Sequence, residues 1–173
     1  GAASAKYIGE NGLASKIAVI YDSSDVYSSG IYEKFAEEAG NQGLEIVAAE
    51  AFTADSNKDF SPQLQKAKDA GAELVFLPMY YTEASLIFQQ ANQTGFAPQF
   101  FGCDGMDGIL QVENFDTSLA EGLMLLTPFA ADATDDLTVN FVKSYQAAYN
   151  NEIPVQFAAD AYDAIYAIKL AME

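Results

Sequence analysis

The sequence predicts an α/β fold, a three-layer, Rossmann-like parallel sheet with helices on both faces. Three observations carry that prediction. Short apolar runs rich in β-branched residues recur along the chain, segments with helical spacing separate them, and glycine or proline punctuates the boundaries. Strands that alternate with helices pair in parallel through right-handed crossovers, which places helices on both faces of the sheet.

Residues 2 to 11 read as a short helix closed by Gly12, and Lys16 to Asp22 (KIAVIYD) follows as a strand buried on both faces. Ser28 or Ser29 is positioned to cap a helix in which Ile31, Phe35 and Ala39 recur at i, i+4, i+8, ending near Gly40 or Gly43. Leu44 to Phe52 is the second strand. Ser61-Pro62 marks a helix start, a hydroxyl cap followed by proline at the first helical position, with Gly71 as the stop. Glu73 to Met79 is the third strand. Thr82 opens a helix with Leu86, Ile87 and Ala91 inward and Gly95 at its end; Gln99 to Gly102 and Gly122 to Thr127 complete five strands. Thr134 or Asp135 caps a helix bearing Leu137, Phe141, Tyr145 and Ala148, and Phe157, Ala161, Tyr162, Ile165 and Ile168 mark a final amphipathic helix.

Composition then narrows the function. The chain has 173 residues, 50% hydrophobic and 19% charged, enough for one domain whose core needs neither metal nor disulfide. Against 25 Asp and Glu stand 8 Lys and Arg, a net charge of -17 that repels phosphate backbones and anionic lipid, so no nucleic-acid partner is expected. Histidine is absent, which removes imidazole catalysis, histidine zinc sites and an imidazole pH switch. Cys103 is the only cysteine and reads as a buried small side chain. No run approaches the ~18 apolar residues of a membrane span, so no membrane insertion of this segment is expected. The abrupt ends suggest a fragment of a longer protein.

In an open parallel sheet, ligands lie beyond the carboxyl ends of the strands, where loops and helix N-termini converge. Tyr27 follows the first strand, Tyr80 and Tyr81 the third, Asp104 the fourth and Phe129 the fifth. Tyrosine offers a flat apolar face and a phenolic donor, and a carboxylate beside it in a low-dielectric cleft suits an ammonium group. The competing structural readings are that Tyr80 or Tyr81 packs under the next helix, that Asp104 turns a loop with Gly105, and that Asp22 caps its own loop. No phosphate-cradling glycine loop, no nucleophile with an adjacent base and no metal cluster occurs, so neither a cofactor, a metal nor an enzymatic activity is expected. Asp55-x-Asn57-x-Asp59 resembles the start of a calcium loop but lacks its turn glycine, and reads as a hydrated surface loop.

The segments KIAVIYDSSDVYSSG, EAFTADSNKDFSPQLQKAKDAGAELVFLPMYYTEA, PQFFGCDGMD and AADAYDAIYAIKLAME, in that order, resemble the C-terminal lobe of a type I periplasmic solute-binding protein of the Leu/Ile/Val-binding family. The resemblance runs over nearly the whole chain. It implies that residues 1–173 are one α/β lobe whose N-terminal partner lobe is missing. It implies an extracytoplasmic protein, in the periplasm or as a cell-surface lipoprotein, that binds an amino acid with a branched or other apolar side chain and hands it to an ABC permease. By the same resemblance Tyr27, Tyr80 and Asp104 receive the ligand's α-ammonium, with Tyr81 as the alternative register; Phe129 is a further candidate, since the ligand's side-chain preference depends on the missing lobe and on loop packing around it. Ser28 stands where the family often has glycine. The same lobe architecture also serves ligand-sensing domains of transcription regulators and receptors, which is the alternative function.

Overall fold

Strand β1, Lys16–Asp22, is the axis of the fold. Its Ile17, Ala18, Val19 and Ile20 are all fully buried, as a continuous apolar run covered on both faces requires. Strands β2 (Glu45–Phe52), β3 (Leu74–Leu77), β4 (Gln99–Gly102) and β5 (Met124–Leu125) join it in one parallel sheet of order β2-β1-β3-β4-β5. The fifth strand is shorter than its apolar run suggests. Gly122 takes a φ of +76°, a conformation no strand residue adopts, so pairing with β4 begins only at Met124.

The alternation of side chains along β1 sorts the core into two layers. Ile17 and Val19 face helices α1 (Ala2–Glu10) and α2 (Val26–Ala39), packing with Ile8, Phe35, Phe76 and Phe101. Ala18 and Ile20 face α3 (Ser61–Asp69) and α4 (Tyr81–Gln93), packing with Leu64, Val75, Ile87 and Phe88. Phe35 stacks on Phe76 with ring centroids 4.3 Å apart, and burying each such ring stabilises the fold by about 1.5–3 kcal/mol. The three-layer α/β expectation is met in this sheet and its four helices.

Three helix starts differ from the sequence reading, each for a local reason. Asp25, not Ser28 or Ser29, caps α2, its carboxylate accepting the N–H groups of Tyr27 and Ser28 at 3.3 and 3.2 Å. An aspartate three residues upstream is as good a cap as serine, and it leaves the Ser28 hydroxyl for another task. Ser61 is the first residue of α3 rather than its cap, and its own N–H is held by Asp59 Oδ1 at 3.0 Å. Helix α4 starts one residue before Thr82, at Tyr81, with Tyr80 extended just outside it.

The computed structural model describes residues 1–173, which fall into two compact units, Gly1–Leu126 and Thr127–Glu173. The sheet and α1 to α4 lie wholly in the first. The second holds α5 (Asp136–Ala148), capped by Asp135, and α6 (Gln156–Met172). Within it Phe141 contacts Phe129, Tyr145 and Tyr162, with centroids 5.9, 6.0 and 5.0 Å away. Gln156, only 2% exposed, accepts the Thr127 hydroxyl at 2.7 Å. The apolar residues of α6 that mark it as amphipathic, Ile165 and Ile168 among them, are exposed.

Candidate ligand-binding site

The strand order creates the crevice. From β1 the chain runs outward to β2 and then returns to β3 on the opposite side, so the loops leaving β1 and β3 diverge at their carboxyl ends. Pairing of β1 with β3 ends at Val19–Phe76, whereas pairing with β2 continues to Asp22–Phe52. The parting strands deliver Tyr27 on one side and Tyr80 on the other.

Tyr27 lies in the first turn of α2, which fixes its backbone. Its ring stacks on that of Tyr80, centroids 4.9 Å apart and planes 26° from parallel. The Tyr27 hydroxyl donates to Asp104 Oδ1 at 2.7 Å and accepts the Gly105 N–H at 2.8 Å. Asp104 opens a single 3-10 turn, Asp104–Met106, directly after β4, so a turn residue and a site residue are the same side chain. Gly105 is required by close approach: a Cβ there would lie 2.8 Å from the Tyr27 hydroxyl and 2.9 Å from the Met79 carbonyl oxygen.

Burial, and then the hydrogen bond to Asp104, push the Tyr27 phenol far above the ordinary tyrosine range. The phenol is therefore a neutral donor at physiological pH. Tyr80 remains 45% exposed, so the stacked pair is accessible from solvent. Two aromatic faces beside a half-buried carboxylate make a receptor for a cation with an apolar surround, and a primary ammonium meets both requirements.

The structure thus brings Tyr27, Tyr80 and Asp104 together. Tyr81, one residue further, turns instead toward the core layer beneath α4, which separates the two tyrosines that the sequence left as alternatives. Phe129 lies in the second unit, edge-on to Phe141 at 81°, with its N–H donating to the Thr127 hydroxyl at 3.3 Å. Asp22 holds its own loop, accepting the N–H and hydroxyl of Ser24 at 2.8 and 2.6 Å. Cys103 is 4% exposed, and burial pushes its thiol up to about 11, so it is an un-ionised core side chain at neutral pH. No group of three or more Cys, Asp or Glu side chains is arranged to hold a metal ion, the Asp55 to Asp59 loop included. Sequence reasoning missed Gly105 as a donor and Ser28 as a link between loops. The only available signal for Ser28 was its hydroxyl, which fitted a helix cap equally well.

A family model described as "Periplasmic binding protein" matches residues 1–173. Among curated proteins, the chain is 27% identical over 175 residues to a leucine-, isoleucine-, valine-, threonine- and alanine-binding protein of Pseudomonas aeruginosa, covering 100% of this chain and 45% of that protein. It is 29% identical over 170 residues to a Leu/Ile/Val-binding protein homolog of Brucella melitensis, covering 98% and 44%. Among solved structures, it is similar to the branched-chain amino acid transporter substrate binding protein LivJ from Streptococcus pneumoniae in complex with isoleucine. That match has a TM-score of 0.83 and 31% identity, covering 94% of this chain and 45% of that one. The leucine binding protein LivK from Thermotoga maritima matches with a TM-score of 0.82 and 27% identity, covering 95% and 46%. The chain spans less than half the length of these relatives.

Proposed function

The chain belongs to the periplasmic binding protein family, and on that premise we propose that it is the C-terminal ligand-binding lobe of a two-lobe, amino-acid-binding component of an ABC importer. The family is one of extracytoplasmic binding proteins rather than enzymes. The proposed ligand is an α-amino acid with a branched or other apolar side chain. Its ammonium is received by Asp104 and the Tyr27–Tyr80 pair, and a permease takes the ligand on release.

The observation that carries this reading is the joining of Tyr27, Tyr80 and Asp104 at the point where β1 and β3 part. The ligands for which the relatives are named, leucine, isoleucine and valine among them, support the ligand class. So does the chemistry: the carboxylate supplies charge, the rings supply apolar contact, and the neutral Tyr27 phenol holds the carboxylate in place without competing as a cation.

One charge-assisted contact is worth about 1.5–3 kcal/mol, whereas micromolar affinity needs about 8 kcal/mol. In this reading the remaining binding energy comes from a second lobe that holds the ligand's α-carboxylate and closes over its side chain. Calorimetry of the full-length protein against the twenty amino acids and their amides tests the proposal. Micromolar binding of leucine, isoleucine or valine is expected. No response to any α-amino acid defeats it.

A further inference from the structure

We propose that Ser28 is a positioning residue that sets the Tyr27–Tyr80 stack, and through it the ligand affinity of the site; the affinity part rests on the amino-acid reading above. Ser28 is 1% exposed, and its side chain performs no capping. Its oxygen accepts the Asp22 N–H at 2.8 Å, and its hydroxyl donates to the Pro78 carbonyl. Asp22 is the last residue of β1, and Pro78 is the first residue after β3. Those are the two strands that have already parted, since their pairing ends at Val19–Phe76.

One hydroxyl therefore bridges the strands where their own ladder has stopped. The N–H of Ser23 turns to β2, donating to the Phe52 carbonyl at 2.9 Å. Side chains and N–H groups alternate along a strand, so the Asp22 N–H points to the β3 side. Without Ser28 that donor and the Pro78 acceptor would face each other across a buried gap with no partner. The bridge has two consequences for the site. Ser28 adjoins Tyr27, and Pro78 stands two residues before Tyr80, so the loops bearing the stacked rings are tied at their roots. The tie also holds Met79, whose carbonyl oxygen borders Gly105, in the space that only glycine leaves open.

The test uses Ser28→Ala, which deletes the hydroxyl, and Ser28→Cys, which keeps the volume with a much weaker donor. Ser85→Ala is the control, because the Ser85 hydroxyl is also buried but donates to Thr82 within its own helix. In the ligand-free full-length protein, NMR of labelled tyrosine rings reads the stack directly, with Tyr27 and Tyr80 assigned from their Phe variants. Both Ser28 variants are expected to move the Tyr27 and Tyr80 resonances toward unstacked positions, while Ser85→Ala leaves them in place. Leucine affinity is expected to fall about tenfold in the Ser28 variants and to stay unchanged in the control. Unmoved ring resonances in both folded Ser28 variants, or a matching shift in Ser85→Ala, overturn the positioning role. If the parent protein binds no amino acid, the ligand reading fails while the ring resonances still decide the role of Ser28.

Discussion

The hydroxyl of Tyr27 donates to Asp104 Oδ1 across 2.7 Å, joining residues 77 positions apart in the chain. The carboxylate is thus oriented before any ligand arrives, by a donor that stays neutral, so binding does not have to order it. Charge and orientation are separable by mutation. Asp104→Asn keeps an oxygen that can accept from Tyr27 and removes the negative charge. It is expected to weaken amino-acid binding by about ten- to a hundredfold, the equivalent of losing one charge-assisted contact. Tyr27→Phe keeps the charge and the ring but removes the hydroxyl's hydrogen bond to the carboxylate, and is expected to cost about tenfold or less. Calorimetry with leucine and with its α-hydroxy analogue checks the assignment. The analogue lacks an ammonium group, so its affinity should not distinguish Asp104→Asn from the parent.

Gly105 makes a stricter demand on the same site. A methyl group there would press on the Tyr27 hydroxyl at 2.8 Å and on the Met79 carbonyl oxygen at 2.9 Å, closer than real Cβ contacts. Relief requires the phenol or the loop after β3 to move, and overpacking of this kind costs about 1–3 kcal/mol. Gly105→Ala is therefore expected to lower the denaturant midpoint modestly, with the Tyr27–Asp104 hydrogen bond the first contact to yield. Measured by calorimetry, its loss of amino-acid affinity should match or exceed that of Tyr27→Phe. A variant that binds like the parent would show that the phenol's position does not matter.

How much of this was legible in the sequence follows from the range of each interaction. The run from Ile17 to Ile20 is apolar at every position, short and rich in β-branched residues, as a strand covered on both faces is, so β1 and the fold class could be read directly. Tyr27, Tyr80 and Asp104 could be nominated because each follows a strand, and strand ends share one edge of a parallel sheet. Their mutual distances could not, since they depend on how β1 and β3 separate. Tyr80 and Tyr81 are chemically identical neighbours, and only the start of α4 decides which of them meets Tyr27. Ser28 failed for a different reason. A serine near a helix start has the same local signature whether it caps that helix or bridges strands, and Asp25 had already taken the capping role.

The Tyr27 phenol also gives the fold a dependence on alkaline pH. Burial is the largest cause of its raised pKa, the hydrogen bond to Asp104 adds to it, and the Gly105 N–H opposes it. An unfolded tyrosine ionises near pH ~10, so between that value and the higher folded value the native state holds a proton that the unfolded state has lost. The stabilisation is fully present below about pH 10 and declines as pH rises toward the folded pKa. The denaturation midpoint of the parent is accordingly expected to fall above about pH 10 more steeply than that of Tyr27→Phe, which has no phenol to ionise. In spectrophotometric titration, the parent and Tyr27→Phe should give the same phenolate absorbance near pH ~10, because Tyr27 contributes nothing there. Unfolding with denaturant at that pH, where an unfolded tyrosine is half ionised, should release about half a phenolate more in the parent than in Tyr27→Phe. Equal slopes of stability against pH in the two proteins would mean that the phenol is not held neutral by its surroundings, and that its bond to Asp104 is too weak to orient the carboxylate.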